Sequence, residues 1–359
     1  LRYAAEGERG VTPAAIATPV TTVGIDFLTT FDNRADITRA TGSFITDGFV
    51  VGQVVETAGF TTTANNGEWK VLAVTALVLS VEDPDNLLVT EVADITQSVQ
   101  IMLQKLRTTG RKIDRQVNVL ESAEVDADGQ DTDLRHGVNR ILGSPGYQLS
   151  LADYDDMIRF AMGGEWYEVE VVSAGAISTT VSSGQKRFTR TTGSWTTDGF
   201  RTGDIVRLSG ATDTAINKDW YVTNAGSLHL RVYDPDDLIQ AGEAGTLVVT
   251  FPGRRVDLTP TMLSFLVEQA FQDVEQYRVF NGVVVDQMGF SITPEAMVGG
   301  TLNLLGISSS DFTGTPLTTS VANPTGSSPF AAFDGTLLLS SAESSVATSL
   351  EFTLQRRRS

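Results

Sequence analysis

The side chains that could do chemistry are few. Histidine occurs twice, at His136 and His229, and a Ser-His-Asp relay needs an imidazole held between a nucleophile and a carboxylate. Neither histidine sits in a nucleophile-elbow pattern. No GxxxxGK loop, GxGxxG fingerprint or HExxH helix occurs, so nucleotide and zinc enzymology have no support. With no cysteine in the chain, disulfides, thiolate metal sites and cysteine redox chemistry are excluded. The sequence therefore reads as a protein that is not an enzyme and needs no cofactor.

Two charge runs remain. Glu121, Glu124, Asp126, Asp128, Asp131 and Asp133 form an acidic loop with the carboxylates that a hard cation such as calcium prefers, but not at EF-hand spacing. A solvated loop or a contact between subunits is the plainer reading. The basic group Lys105, Arg107, Arg111, Lys112 and Arg115 precedes it with the opposite sign, so one subunit's basic segment is expected to meet the next subunit's acidic loop and set register. Over the whole chain 26 Lys and Arg face 44 Asp and Glu, a net charge of −18, which repels phosphates and argues against tight DNA binding. The most apolar stretch, Val71 to Val81, is too short for a membrane span, and no charged-then-apolar leader opens the sequence. A soluble intracellular product is expected.

The elements that position these residues show a duplication. The segment ITRATGSFITDGFVVGQVVETAG from Ile37 returns as FTRTTGSWTTDGFRTGDIVRLSG from Phe188, at a constant offset of 151 residues. The register continues through Trp69 and Trp220, Leu77 and Leu228, Leu79 and Leu230, and the Asp-Pro-Asp turns at Asp83 and Asp234. About half of the positions from Thr38 to Leu88 are identical in the second copy. Asp47-Gly48 and Asp198-Gly199 read as hairpin turns, and Leu228, Leu230 and Val232 as a half-buried strand. Phe49, Trp69, Trp195, Phe200 and Trp220 are the expected module cores. Two copies are too few for a solenoid, so two insertions into a host domain are expected. Module 1 is placed at 18–101, module 2 at 169–252, and the discontinuous core domain at 1–17, 102–168 and 253–359.

In the host, Ser150 is positioned to cap a helix with Asp153 at its third position. Leu151, Tyr154, Met157, Ile158 and Ala161 make its apolar stripe, and Gly163-Gly164 its end. The rest reads as strands around Val117, Val119 and Ile141, then a meander from Tyr277 interrupted at Gly282 and turning at Thr293-Pro294-Glu295-Ala296. Residues 308–329, rich in Ser, Thr, Gly and Pro, read as a loop or extended arm of the kind that reaches a neighbour.

Several segments, in order, resemble the tail tube (major tail) proteins of bacteriophages with long, non-contractile tails. They are the opening Leu1-Arg2-Tyr3-Ala4-Ala5-Glu6 with Gly10-Val11-Thr12-Pro13, the block from Arg111 to Gly146, the helix LADYDDMIRFAMGGEW, and Ser264 to Phe271 leading to Phe280-Asn281-Gly282-Val283. The inserted GSF, DGF and G-D-x-V pattern is similar to a module that some members carry, here present twice. The chain ends at Gln355-Arg356-Arg357-Arg358-Ser359, where family members usually continue with further strands. The resemblance implies a mainly β fold, a tail-tube-type β-sandwich or barrel with one flanking helix and two inserted homologous β modules. It implies homohexameric rings stacked into a tube in the virion tail, assembled in the host bacterial cytoplasm. Tape measure, tail terminator and distal tail proteins are the implied partners, with DNA passing through the lumen without specific binding and no membrane contact.

The excess negative charge then either lines the channel and keeps DNA from sticking or serves solubility alone. A rival reading is a carbohydrate-binding or adhesin-like protein of several β modules. It would put Trp69 and Trp220 on the surface, whereas the tube reading puts them in module cores, and the modules outward.

Overall fold

The computed structural model describes residues 1–21, 25–30, 34–83, 85–92, 96–110, 113–121, 134–168, 177–243, 246–331, 338–339, 342–343 and 350–355. The chain is mainly β, with several sheets and, among the described residues, one helix longer than a single turn. It divides into two compact units. Unit 1 comprises Leu1–Gly163, Thr259–Gly335 and Thr348–Ser359, and unit 2 comprises Gly164–Leu258 and Thr336–Ala347.

The first half of the chain supplies β1 (Arg2–Ala5), α1 (Ala14–Ala17), β2 (Ile25–Thr30), β3 (Arg34–Arg39), β4 (Val54–Ala58), β5 (Gly67–Val74), β6 (Val78–Glu82), β7 (Ser98–Ile101), β8 (Leu103–Lys105), β9 (Ile113–Glu121), β10 (Leu134–Gly143), β11 (Gly146–Gln148) and α2 (Asp155–Met162). Unit 2 contributes β12 (Trp166–Glu168), β13 (Ile177–Ser182), β14 (Gln185–Arg190), β15 (Ile205–Ser209), β16 (Asp219–Ala225), β17 (His229–Val232), β18 (Val248–Thr250) and β19 (Arg254–Val256). The chain then continues through β20 (Phe265–Phe271), β21 (Gln276–Ile292), β22 (Gly299–Gly306), β23 (Ser308–Ser309), β24 (Val321–Ala322), β25 (Leu338–Leu339), β26 (Ala342–Glu343) and β27 (Leu350–Gln355).

Unit 1 is built on a sheet whose strands run β24-β8-β1-β20-β21-β22-β10-β9, with β11, β23 and β27 pairing alongside. Period-two alternation sends its side chains to two different cores. Tyr3, Ala5, Phe265 and Val267 pack with Tyr154, which precedes α2, and with Met157 and Phe160 of α2. Ala4 and Leu266, the residues between them, pack with Ile37, Phe44, Phe49 and Leu79 of module 1. The β1–β20 pair is thus covered on both faces, which is why Phe265 to Gln269 is one continuous buried run. Module 1 consequently belongs to the same unit as the core strands, whereas module 2 has a separate core of its own around Phe188, Trp195, Phe200 and Trp220.

The two modules share one topology. The first orders its strands β2-β3-β6-β5-β4-β7 and the second β13-β14-β17-β16-β15-β18, position for position. The Asp-Gly dipeptides do not close hairpins. Residue 49 returns its amide to the Phe44 carbonyl (3.0 Å) and residue 200 to the Trp195 carbonyl (2.9 Å), so each copy makes a wide turn between strands that are not paired. Each aspartate is taken by an arginine, as described below. Gly48 and Gly199 still supply the left-handed φ that the turn requires (+92° and +98°).

The helix α2 begins at Asp155, later than the apolar periodicity suggests, and Ser150 does not cap it. Ser150 instead donates to the Asp153 carboxylate (2.6 Å). Leu151 points to solvent at 66% exposure, and a left-handed Ala152 (φ +64°) keeps this turn out of the helix. Gly163 closes the helix in left-handed geometry (φ +73°). Gly282 interrupts the long strand β21 as a left-handed residue (φ +65°) at a register shift against β20, without ending it. The turn at residues 293–296 closes through the Ala296 amide and the Thr293 carbonyl (3.2 Å).

Residues 308–329 pack back on their own unit instead of extending away. Val321 and Ala322 pair in parallel with Leu103 and Gln104, the Leu317 amide donates to Glu268 (2.7 Å), and the Thr325 amide donates to Asp153 (2.8 Å).

Candidate assembly surface and the repeated module

The candidate charged residues are placed as follows. Lys105 at the end of β8 donates to Asn323 (2.7 Å). Arg107 is engaged within unit 1, to Asp153 (2.9 Å), Ser150 (3.2 Å) and the Ser327 carbonyl (2.6 Å). Arg115 lies in β9 opposite Ile141. Glu121 closes β9, but its side chain is outside the described residues, as are Arg111, Lys112, Glu124, Asp126, Asp128, Asp131 and Asp133 entirely. Among the described residues no group of three or more His, Asp or Glu side chains is arranged to hold a metal ion. His229 shares a hydrogen bond with Thr189 (3.1 Å) in unit 2, and His136 lies in β10 of unit 1. An open cleft of about 330 Å³ lies among Ala14, Pro19, Val20, Arg39 and Asp47. Its two charged groups are bonded to each other.

The β9–β10 ribbon is exposed along the middle of β9. Its base is anchored, since Ile113 and Ile141 join the core around α2. Further along β9, Gln116, Val117 and Asn118 are all exposed in succession, so both faces of the ribbon meet solvent there. On its outer side β9 ends the sheet and pairs with no further strand among the described residues. A two-stranded ribbon exposed on both faces is only marginally stable in water, and an unpaired edge is a template for another chain.

The repeated module owes its local structure to one arginine. Arg39 lies over the Phe44 ring (4.8 Å) while its Nη1 meets Asp47 (2.5 Å) and its Nε donates to the Thr41 carbonyl (2.6 Å). Arg190 repeats every contact: over Trp195 (5.0 Å), to Asp198, and to the Thr192 carbonyl (2.6 Å). Burying a guanidinium requires such pairing, and the ring face adds a cation–π attraction. Phe44 meets Phe49 edge to face (5.2 Å), as Trp195 meets Phe200 (5.2 Å). Gly42 and Gly193 have positive φ, and a Cβ on either would strike the arginine. Trp220 is buried at 3% exposure and donates to the Ile216 carbonyl (2.9 Å). Trp69 is only half-buried, with its indole N–H donating to Thr57 (2.9 Å).

The outward faces of the two modules differ. In module 1 the side chains that follow the shared pattern bind the host: Gln53 donates to the Ala5 carbonyl (2.8 Å), and Lys70 pairs with Asp156 (3.4 Å). Asp156 also accepts from the Tyr3 hydroxyl (3.1 Å). Burial first, and the Asp156 charge second, push the Tyr3 phenol well above its ordinary pKa. Glu68, on the same strand as Lys70, is raised by partial burial and by the nearby Glu56 charge. The residues at the Gln53 and Lys70 positions in module 2 are Asp204 and Tyr221. Asp204 pairs with Arg255 (3.1 Å), and Tyr221 stays 39% exposed. Sequence reading missed these side chains; the signal was the set of outward strand positions at which the two copies differ. Comparison with models of protein families and with curated proteins finds no match to this chain.

Proposed function

We propose that this chain is a structural subunit of a phage-type tail tube, closing with five further copies into a ring and stacking ring on ring around a DNA channel. The observation that carries the reading is the β9–β10 ribbon, open along β9 and exposed on both faces. A chain that keeps such an edge without a charge or proline at its centre is built to be paired, and the natural partner for a self-assembling wall is the same sheet in a neighbouring copy. The two-sided β1–β20 layer braces the base of that wall. The ordered resemblance to tail tube proteins agrees, and the net charge of −18 suits a lumen that DNA traverses without sticking. Tape measure, terminator and distal tail proteins are the partners this reading assigns at the tail ends.

The test is Val117→Lys, a charge at the centre of the open edge. It should leave the circular dichroism spectrum and melting temperature unchanged, because Val117 is 37% exposed, yet abolish rings and tubes in sedimentation velocity. A variant that assembles as the parent does would remove β9 from the interface and the reading with it.

A further inference from the structure

We propose that the outer face of the module 2 sheet binds acidic saccharides, sugar chains bearing carboxylate or phosphate groups. The site goes beyond the tube reading and stands on a different part of the molecule.

The key pair is Arg187 and Arg231, directly opposite each other on β14 and β17. Their neighbours Phe188 and Leu230 point into the module core, so both arginines face outward. Like charges at directly opposed positions of an antiparallel pair are destabilising. Neither arginine forms an ion pair among the described residues; Arg187 donates through Nη2 to Gln185 (3.0 Å). In a chain of net charge −18, two adjacent cations without a carboxylate are conspicuous. The equivalent residues of module 1 are Asp36 and Ser80, which hydrogen-bond each other (2.6 Å). The fold thus has a self-satisfied solution for this position, and module 2 replaces it with an arrangement that only an added anion neutralises. Two guanidinium forks match carboxylate or phosphate oxygens.

The flanking residues supply the rest of a saccharide site. Tyr221 lies beside Ile205 on β15 in register, and Tyr233 donates its amide to the Tyr221 carbonyl (2.9 Å). Val222 and Val232 pair with each other and point inward, which puts Tyr221 and Tyr233 on the outer face with the arginines. They are 39% and 43% exposed, apolar rings with a polar tip available to stack on a sugar. Asn224 faces Arg231 across the ladder, and Thr180 faces Arg187. In module 1 the two tyrosine positions are Lys70 and Glu82, so no aromatic platform exists there. A single-stranded nucleic acid would also stack on tyrosine, but a long polyphosphate is repelled by the protein's net charge, whereas a short acidic saccharide meets only this patch.

The experiment titrates the full chain against three labelled probes at low salt: oligogalacturonate, neutral dextran and oligothymidylate. Oligogalacturonate should bind at least tenfold more tightly than either of the others and weaken as salt rises. Substituting the module 1 residues, Arg187→Asp with Arg231→Ser, should reduce its affinity at least tenfold. Tyr221→Ala, at an exposed position, should weaken it as well and covers the case in which the double variant misfolds. Absence of oligogalacturonate binding, or affinity unchanged in these variants, overturns the proposal. Tighter binding of oligothymidylate overturns it too, and makes the face a nucleic-acid surface.

Discussion

Residues at equivalent positions of the two modules act as internal controls for one another. Trp195 occupies the place of Phe44 but brings an indole N–H that is buried without a partner. An unsatisfied buried donor costs about 1–3 kcal/mol, and trimming a large ring in a packed core costs a similar amount. Trp195→Phe should therefore leave the stability of unit 2 within about 1 kcal/mol of the parent, measured by urea unfolding. Asp153 gives a prediction in pH. Burial pushes its carboxyl up, but hydrogen bonds from Ser150, Thr325 and Arg107 outweigh burial and hold it below its ordinary value. A depressed carboxylate contributes stability that is present above the unfolded-state pKa, about 3.9 for aspartate, and is lost as pH falls through the lower folded value. The Thr325 amide should thus stay protected from hydrogen exchange at about pH 4 and above, and open only as pH falls through that lower folded value. Asp153→Ala, which removes the acceptor, should open it at neutral pH. What the sequence shows at this scale is which residues are apolar and shared. Phe49, Trp195, Phe200 and Trp220 are all buried. It does not show where a polar side chain spends its hydrogen bonds: Ser150 looked like a helix cap and Asp47 like a hairpin residue, and each is engaged elsewhere, by Asp153 and Arg39.

Strands and turns were legible wherever periodicity was strong, as in the meander from Tyr277 and the strands around Val117 and Ile141. Residues 308–329 look unstructured by composition, yet they are held by isolated backbone bonds and by buried acceptors such as Glu268, long-range contacts that leave no local pattern. The same limit hid which module is attached. Both are bounded by adjacent backbone: Val20 pairs with Val99 around module 1, and β12 pairs with β19 around module 2. Each could therefore be excised and the ends rejoined by a short turn. The consequences differ, because Ala4, Leu103 and Leu266 rely on module 1 for cover, whereas the core of module 2 is its own. Deleting residues 169–252 should leave a folded unit 1 that still assembles, while deleting 18–101 should expose an apolar sheet face and yield aggregate. Expression of the two deletions, followed by size-exclusion chromatography, checks this. Equal tolerance of both deletions would contradict the two-sided role of β1 and β20.

At the scale of the molecule, the chain combines a large sheet with an open edge, a module fused to that sheet, and a second copy of the module in a unit of its own. A duplication that is retained in two structural contexts frees one copy from the contacts the other must keep. Module 1 spends Gln53 and Lys70 on the host, and module 2 presents Arg187, Arg231, Tyr221 and Tyr233 instead. The tube reading assigns the wall to unit 1 and leaves the second module for decoration. The most direct measurement is electron microscopy of the purified full-length chain over a range of concentrations. The account predicts annular particles of six subunits that stack into hollow tubes as concentration rises. Particles that remain single-subunit in size at every concentration, with neither rings nor tubes, would contradict it.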